Sequence, residues 1–434
     1  MRPFAIVGCR LLDPATGRDE PGGVLIAEGR IRDLGPHIRA DALAPEIAVL
    51  DGGGACLAPG LVDMRVRLGE PGAEHKERID SALRAAAAGG VTSLCSLPDT
   101  RPPIDDPAML EFVARRARKL KSVKVHPYAA LTRGCAGEQL AEMGLLCEAG
   151  AVAFSDGDRA VADARLMLRA LSYATAFGAL VVQHPEEPRL AEGGAMNDGE
   201  MAVRLGLPGI PRAAEIVIVE RDLRLVEMTG ARYHVAHLST REAVEAIRRA
   251  KDRGLAVSAE VSPHHLLLTE REVEGYRTYA KVSPPLRTEE DREALLEGLR
   301  DGTIDVIASD HHPQDQDSKR LPFAQAAFGV VGVETMLSAV LEIHHRGEID
   351  LLPLLARMTT NPADLLCLDA GRLEVGRPAD LVLFDLERPF EVTEEGLHSL
   401  SKNTAFEGRV FRGRVLRTFV DGRLVFALED PAAK

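Results

Sequence analysis

From residue 61 onward the chain alternates short β-rich runs with helix-like runs. Eight β runs can be counted: Leu61–Val66, Val91–Ser96, Val123–Ala129, Ala151–Phe154, Ala179–Gln183, Arg232–Ala236, Ala256–Glu260 and Ile304–Ala308. Repeated β-then-α order predicts parallel strands, because a parallel pair needs a crossover that a helix supplies. Eight of them predict a closed (β/α)8 TIM-like barrel, with an open doubly wound sheet as the alternative. The pattern changes at both ends, where short strands carry turn signals, as in Gly22-Gly23-Val24-Leu25-Ile26-Ala27-Glu28-Gly29 and Thr418-Phe419-Val420-Asp421-Gly422. Neither end is long enough to hold a core alone, so both are expected to join as one small β-sandwich domain. The expected division is 1–55 with 366–434 as the composite β domain and 56–365 as the barrel.

The length of 434 residues suits such a barrel, typically about 250 residues, plus an accessory domain. Aromatics make up only 4% and Trp is absent, so the core must be aliphatic. A formal charge of -13 argues against nucleic-acid or anionic-membrane partners. Residues 1–6 lack a signal-peptide pattern, and no apolar run reaches the roughly 18 residues of a span. The expected location is cytoplasmic. The six cysteines are scattered with no Cys-x-x-Cys and read as free buried thiols.

In a barrel of this kind, chemistry sits at the C-terminal ends of the strands. The first strand ends in Arg65 and Arg67, spaced i, i+2 and therefore on one face. The fourth leads to Asp156, the fifth to His184, the sixth to His237 and the eighth to Asp310. Asp156, His184, His237 and Asp310 are oxygen or nitrogen donors of the kind zinc accepts. A guanidinium keeps its proton in a protein and cannot be a ligand, so Arg65 and Arg67 do not belong to that set. His264-His265, adjacent after the seventh strand, are expected to divide their roles, one packed and one supporting the site.

Several segments carry a more specific signal. They include Pro59-Gly60-Leu61-Val62-Asp63-Met64, Met196-Asn197-Asp198-Gly199-Glu200, Leu205-Gly206-Leu207-Pro208-Gly209-Ile210-Pro211, His234-Val235-Ala236-His237-Leu238-Ser239-Thr240, Ser283-Pro284-Pro285-Leu286-Arg287 and Leu321-Pro322-Phe323. Over nearly its whole length the chain resembles dihydroorotases of the longer bacterial type, in the amidohydrolase superfamily. The resemblance implies a metal-activated water that opens or closes a cyclic amide in pyrimidine biosynthesis. It implies Asp310 as the acid/base or its vestige, His184 and His237 as metal ligands, and Asp156 as the carboxylate ligand.

The departures from the family fall on chemistry. Its His-x-His-x-Arg is here Arg65-Val66-Arg67-Leu68-Gly69, removing two metal ligands and the substrate-binding arginine. Its Pro-Asn-Thr is Pro98-Asp99-Thr100, its Asn-Pro-Pro-Leu-Arg begins with Ser283, and its Asp-His-Ala-Pro-His ends in Gln314. Two fixed positive charges then stand where the family holds a metal, and they are expected to pair with Asp156 or Asp310. Two functional readings follow. One is a non-catalytic homologue that serves as a structural partner of aspartate carbamoyltransferase, in a homo- or hetero-oligomer. The other is an active cyclic-amide hydrolase with a reduced site, one zinc on Asp156, His184 and His237. The cofactor expectation is accordingly none or one zinc ion.

Overall fold

The computed structural model describes residues 2–429. Met1 and residues 430–434, part of the expected β domain, lie outside the described residues. Eight parallel strands make the barrel: β1 (Leu61–Val66), β2 (Val91–Ser96), β3 (Lys124–Pro127, continued by Ala129–Ala130), β4 (Phe154–Ser155), β5 (Leu180–Gln183), β6 (Arg232–Val235), β7 (Val257–Val261) and β8 (Val306–Ile307). β1 to β3 form one ladder, and β8 back to the continuation of β3 form another. Two joints close the ring. Tyr128 N donates to Ser96 O at 2.9 Å and Ala129 N to Ala153 O at 3.0 Å. On the other side His311 N donates to Arg65 O at 3.2 Å, and Arg67 N donates to His311 O at 2.9 Å. The second joint matters for function, because it places Arg65 and Arg67 beside Asp310.

Local chemistry explains the helical layer. Pro107–Leu120 starts with Asp106, whose carboxylate accepts from Ala108 N at 2.8 Å and Met109 N at 3.0 Å, with Pro at the first helical position. Arg241–Asp252 is capped by Thr240. Ile79–Ala88 buries a face of small alanines, which brings it close to the barrel wall. Between β5 and the long helix Ala213–Thr229 a ribbon forms from Met196–Asn197 and Gly209–Ile210.

The two ends of the chain build one hydrogen-bonded sheet. Its order is Arg423–Ala427, Val410–Val420, Leu381–Glu391, Cys56–Pro59, Phe4–Asp13, Arg18–Ala27 and Arg30–Gly35, and Ala48–Asp51 also pairs with Phe4–Asp13. The run Cys56–Pro59 pairs with both ends, Arg10 opposite Cys56 and Leu381 opposite Pro59. It is therefore part of the terminal sheet, and the barrel begins at Leu61. Leu366 and Leu368 pack with Val306 and Ala308 under the barrel, so the C-terminal piece joins the sheet only beyond them. Lys124 ties the two parts together, 2.7 Å from Asp380 and 2.8 Å from Asp421. Four of the cysteines are buried free thiols, Cys147 is half-buried, and Cys367 is exposed.

Candidate active site

Arg65, at the end of β1, is 1% exposed and is among the largest fully buried side chains. Its Nε donates to Asp310 Oδ1 at 2.9 Å, and its Nη2 donates to Asp158 Oδ1 at 2.6 Å. Arg67 reaches Asp158 Oδ2 at 2.9 Å and also pairs with Asp99. Asp158 thus bridges both arginines, and His312 Nδ1 stands 3.3 Å from the same carboxylate. Charges run along the mouth as Asp99, Arg67, Asp158, Arg65, Asp310. Each cation lies between anions, the arrangement that makes buried ions tolerable. Burial by itself would raise the Asp310 carboxyl, but His237 and Arg65 hold it well below the usual carboxylate range. Asp158 is likewise lowered, burial being overcome by Arg67, His312 and Arg65.

The histidines continue the chain of polar groups. His237 Nδ1 is 3.3 Å from Asp310 Oδ2, and His237 Nε2 is 2.7 Å from His184 Nδ1, so one ring donates to the other. His184 Nε2 lies 3.7 Å from Glu186. His237 and Asp310 both keep left-handed backbone, at φ 30° and 49°. Such conformations are costly for residues with a Cβ and concentrate at functional sites.

Asp156 takes no part in this network. Its Oδ1 accepts from Leu131 N at 3.0 Å and Thr132 N at 2.9 Å, and its Oδ2 accepts the Thr132 hydroxyl. Burial pushes its carboxyl up to about 6, against the pull of those donors. The proposed ligand set of Asp156, His184 and His237 is therefore not gathered. The two histidines bond each other, and the carboxylate is spent on the β3–β4 connection. Among the described residues no three His, Cys, Asp or Glu side chains form a metal-binding group. The residues present do not fit the family's metal, and Arg65 supplies fixed positive charge against Asp310. Pairing of the arginines with Asp156, one of the two carboxylates expected, does not occur. We expect Asp156→Asn to leave metal content unchanged and to move stability by no more than about 1 kcal/mol, read by urea unfolding and elemental analysis.

The remaining replaced positions are equally altered in shape. Gly69 has φ 69°, and a Cβ there would lie 2.2 Å from the Glu77 carbonyl oxygen, so the family's arginine has no room on this backbone. The Asp99 carboxylate lies over Gly157, where a Cβ would come within 2.4 Å of it. Ser283 Oγ donates to Glu186 at 3.2 Å. Gln314 Oε1 accepts Lys76 Nζ at 2.7 Å, and its Nε2 donates to Phe328 O at 2.8 Å. A cavity of about 370 Å³ remains beside these groups, lined by Arg67, Gly69, Lys76, Asp99, Asp158 and His312 among others.

His264 and His265 divide their roles as expected, on a short helix, Pro263–Leu267. His264 Nε2 is 3.7 Å from Asp310, while His265 is held by Ser262 Oγ at 2.7 Å and Pro284 O at 2.9 Å. Burial pushes His264 and His126 down to about 4, His312 to about 3, and His265 well below its ordinary value. These four bind protons mainly when unfolded, so their contribution is lost as pH falls from about 6.5. Asp156 and Asp63, raised to about 6 by burial, act the opposite way over pH 4 to 6. His237 is lowered as well, and Asp222 and Asp380 are raised, which makes five imidazoles against four carboxylates. The imidazole effect begins at about pH 6.5 and is nearly complete by about pH 5, whereas the carboxylate effect develops mainly below about 6, so unfolding free energy should fall between about pH 7 and 5 in urea titrations.

Sequence reasoning missed Asp158 and Thr132. Asp158 lies three residues past the end of β4, where nothing in the local pattern separates it from a turn residue. The missed signal was charge: two arginines at one strand end require more than one carboxylate.

An eight-stranded parallel barrel with acidic and imidazole groups at its C-terminal rim, joined to a sheet from both termini, defines an amidohydrolase-type protein. Models of the Amidohydrolase family and of the Dihydro-orotase-like family match residues 213–426 and 54–243. L-Hydantoinase (dihydropyrimidinase) from Arthrobacter aurescens superposes with a TM-score of 0.86 at 26% identity, covering 99% of this chain and 98% of its own. Among curated proteins, dihydroorotase of Syntrophotalea carbinolica is 45% identical over 98% of this chain and 99% of its own length. That of Geotalea daltonii is 44% identical over 97% and 98%. The chain belongs to the dihydroorotase family.

Proposed function

We propose that this chain is a non-catalytic member of the dihydroorotase family, and that it serves pyrimidine biosynthesis as a structural partner of aspartate carbamoyltransferase. The observation that carries the reading is the buried Arg65 guanidinium, bonded to Asp310 and Asp158 at 2.9 and 2.6 Å. It neutralises the carboxylate that the family uses for proton transfer, and its charge repels a dication at the same mouth. A partner role supplies a reason for keeping a complete barrel and sheet without the chemistry. No helix among the described residues is long and apolar enough to cross a membrane.

A second reading, a cyclic-amide hydrolase with one zinc, draws support from His184 and His237 held 2.7 Å apart at the mouth. It requires Asp156 to leave three hydrogen bonds. The test has two arms. Purified protein is assayed with dihydroorotate and with carbamoyl aspartate, with and without zinc, alongside elemental analysis. The tagged chain is also recovered from its own cells and probed for carbamoyltransferase. We expect no turnover, less than one tightly held metal per chain, and a co-purifying carbamoyltransferase. Ordinary turnover would overturn the non-catalytic reading, and a chain recovered alone would remove the partner role.

A further inference from the structure

The helix Pro107–Leu120 leads from β2 to β3 and buries Leu110, Val113, Ala114 and Ala117. Its other face is unusual for this chain. Phe112 is 46% exposed and Leu120 is 38% exposed. At helical spacing Phe112 shares a face with Arg115, Arg116 and Lys119. From residue 111 to 121 the exposed charges are Arg115, Arg116, Arg118, Lys119 and Lys121 against Glu111 alone, in a protein of net charge -13. Arg118 pairs with Glu111 at 2.6 Å and Arg116 with Glu70 at 3.1 Å, whereas among the described residues Arg115, Lys119 and Lys121 have no carboxylate within ion-pair distance. Cations in the last turn suit the helix dipole, which accounts for Arg118 and Lys119. It does not account for Arg115, which stands four residues before Lys119, a like-charge spacing that weakens a helix on its own. Nor does it account for an aromatic ring left in water among these cations.

The basic face runs into a groove of about 550 Å³ at the start of β3, the end of the barrel remote from the mouth. The groove lies between the end of this helix, β3 and the turn Asp421–Arg423 of the terminal sheet, and Arg118, Lys121, Lys124 and Arg423 line it. Lys121 ends the helix in left-handed backbone at φ 50°, which glycine would adopt without strain, so an ammonium is placed there at a cost. Lys124 and Arg423 share Asp421, at 2.8 and 3.5 Å. The His126 ring lines the same groove, and its Nε2 has no hydrogen-bond partner among the described residues. Helix and groove together leave donors and cations in surplus over acceptors.

We propose that the exposed face of the helix Pro107–Leu120, with the groove at its end, docks an acidic segment of a partner protein that sets aspartate or glutamate carboxylates around an apolar side chain. Charge complementarity fixes the sign of the partner: Arg115, Lys119 and Lys121 are cations that the chain itself leaves without counter-ions. Phe112 and Leu120 supply the apolar anchors, and an aromatic ring among arginines is the composition that carries binding energy at protein interfaces. An extended polyanion, such as a nucleic acid or an anionic membrane, would meet the same cations but also the field of a chain of net charge -13. A compact acidic segment touches this face alone. The inference specifies the chemistry of the partner and the place where it binds, and it holds whether or not that partner is a carbamoyltransferase.

Fluorescence anisotropy tests it, with the full-length protein titrated into a fluorescein-labelled peptide of glutamate with interspersed leucine. Saturable binding is expected, weakened at least about tenfold when salt is raised from about 50 to 500 mM. Arg115→Glu with Lys119→Glu should weaken binding at least about tenfold, because two attractive contacts become repulsive. Phe112→Ala should weaken it at least about threefold and leave the salt dependence unchanged. Arg271→Glu with Arg320→Glu, which reverses two exposed arginines elsewhere on the surface, should have no effect. All five positions are exposed, so the substitutions leave the core intact. Absence of saturable binding would overturn the docking surface, and so would an equal loss in the Arg271/Arg320 variant. Indifference to Phe112→Ala would reduce the face to a counter-ion cloud and overturn it as well. Tighter binding of duplex DNA or of phosphatidylserine vesicles, lost in the Arg115/Lys119 variant, would overturn the assignment to a protein partner.

Discussion

Arg65→Met is expected to lower the unfolding free energy by about 3–5 kcal/mol, the usual effect of removing one partner of a buried ion pair. The side chain is 1% exposed and bonds two carboxylates, so its loss leaves Asp310 with only the imidazoles of His237 and His264 beside it, and Asp158 with Arg67 and His312. Methionine nearly fills the stem of the arginine, which separates lost charge from lost volume. Arg65→Lys should recover only part, since one ammonium cannot copy the guanidinium fork that reaches both carboxylates. Arg65→Met combined with Asp310→Asn should recover part as well, because one stranded anion is removed. The measurement is urea unfolding at pH 7. A wild-type midpoint for Arg65→Met would show that the mouth does not depend on this cation. The carboxylate contribution has a defined pH sign. Asp310 and Asp158 are held below the ordinary range, so their stabilisation is present above about pH 4 and is lost as pH falls through their lowered values.

Turnover of dihydroorotate is expected to lie at least about 10⁴-fold below that of an ordinary family member, in both directions, with or without added zinc. Loss of a single stabilising donor or proton-transfer group costs about 10² to 10⁴ in rate, and here several are altered together. Restoring only the two histidines, as Arg65→His with Arg67→His, should leave activity at background. Asp156 would still be bound to Thr132 and Leu131, and Asp99, Ser283 and Gln314 would still carry altered chemistry. Gly69 resists restoration for a steric reason, its left-handed backbone lying against the Glu77 carbonyl. Steady-state assays of the double variant with zinc, set beside the wild type, measure this directly. Recovery of near-family rates would mean that the two arginines alone had silenced the site.

The motif segments that reveal the family are largely structural here. Arg287 Nη1 donates to Asn197 Oδ1 at 2.7 Å and Ile210 O at 2.9 Å, and Arg287 Nε donates to Ser239 Oγ at 3.1 Å. Glu215 accepts from the amides of Ser239 and Thr240 at 3.1 and 2.9 Å. One brace thus links the β5 insertion, the end of β6 and the run after β7. These residues build the scaffold, which is why the sequence could display its family so openly while Arg65 and Arg67 depart from its pattern at the mouth.

By itself the sequence determined the barrel, the joining of both termini, and the strand ends that meet at the mouth. Period-2 and period-3.6 patterning and turn chemistry are local, and they propagate into topology because parallel strands leave few alternatives. It also determined that Arg65 and Arg67 cannot ligate a metal, since that follows from residue chemistry alone. Only the tertiary structure decided how the charges pair. Asp158 became the shared counter-ion and Asp156 turned to Thr132, because a loop's path and a side chain's choice among nearby donors depend on three-dimensional distance. The burial of Lys281 and Lys319 against backbone carbonyls was equally hidden, since it is a property of packing and has no local sequence pattern.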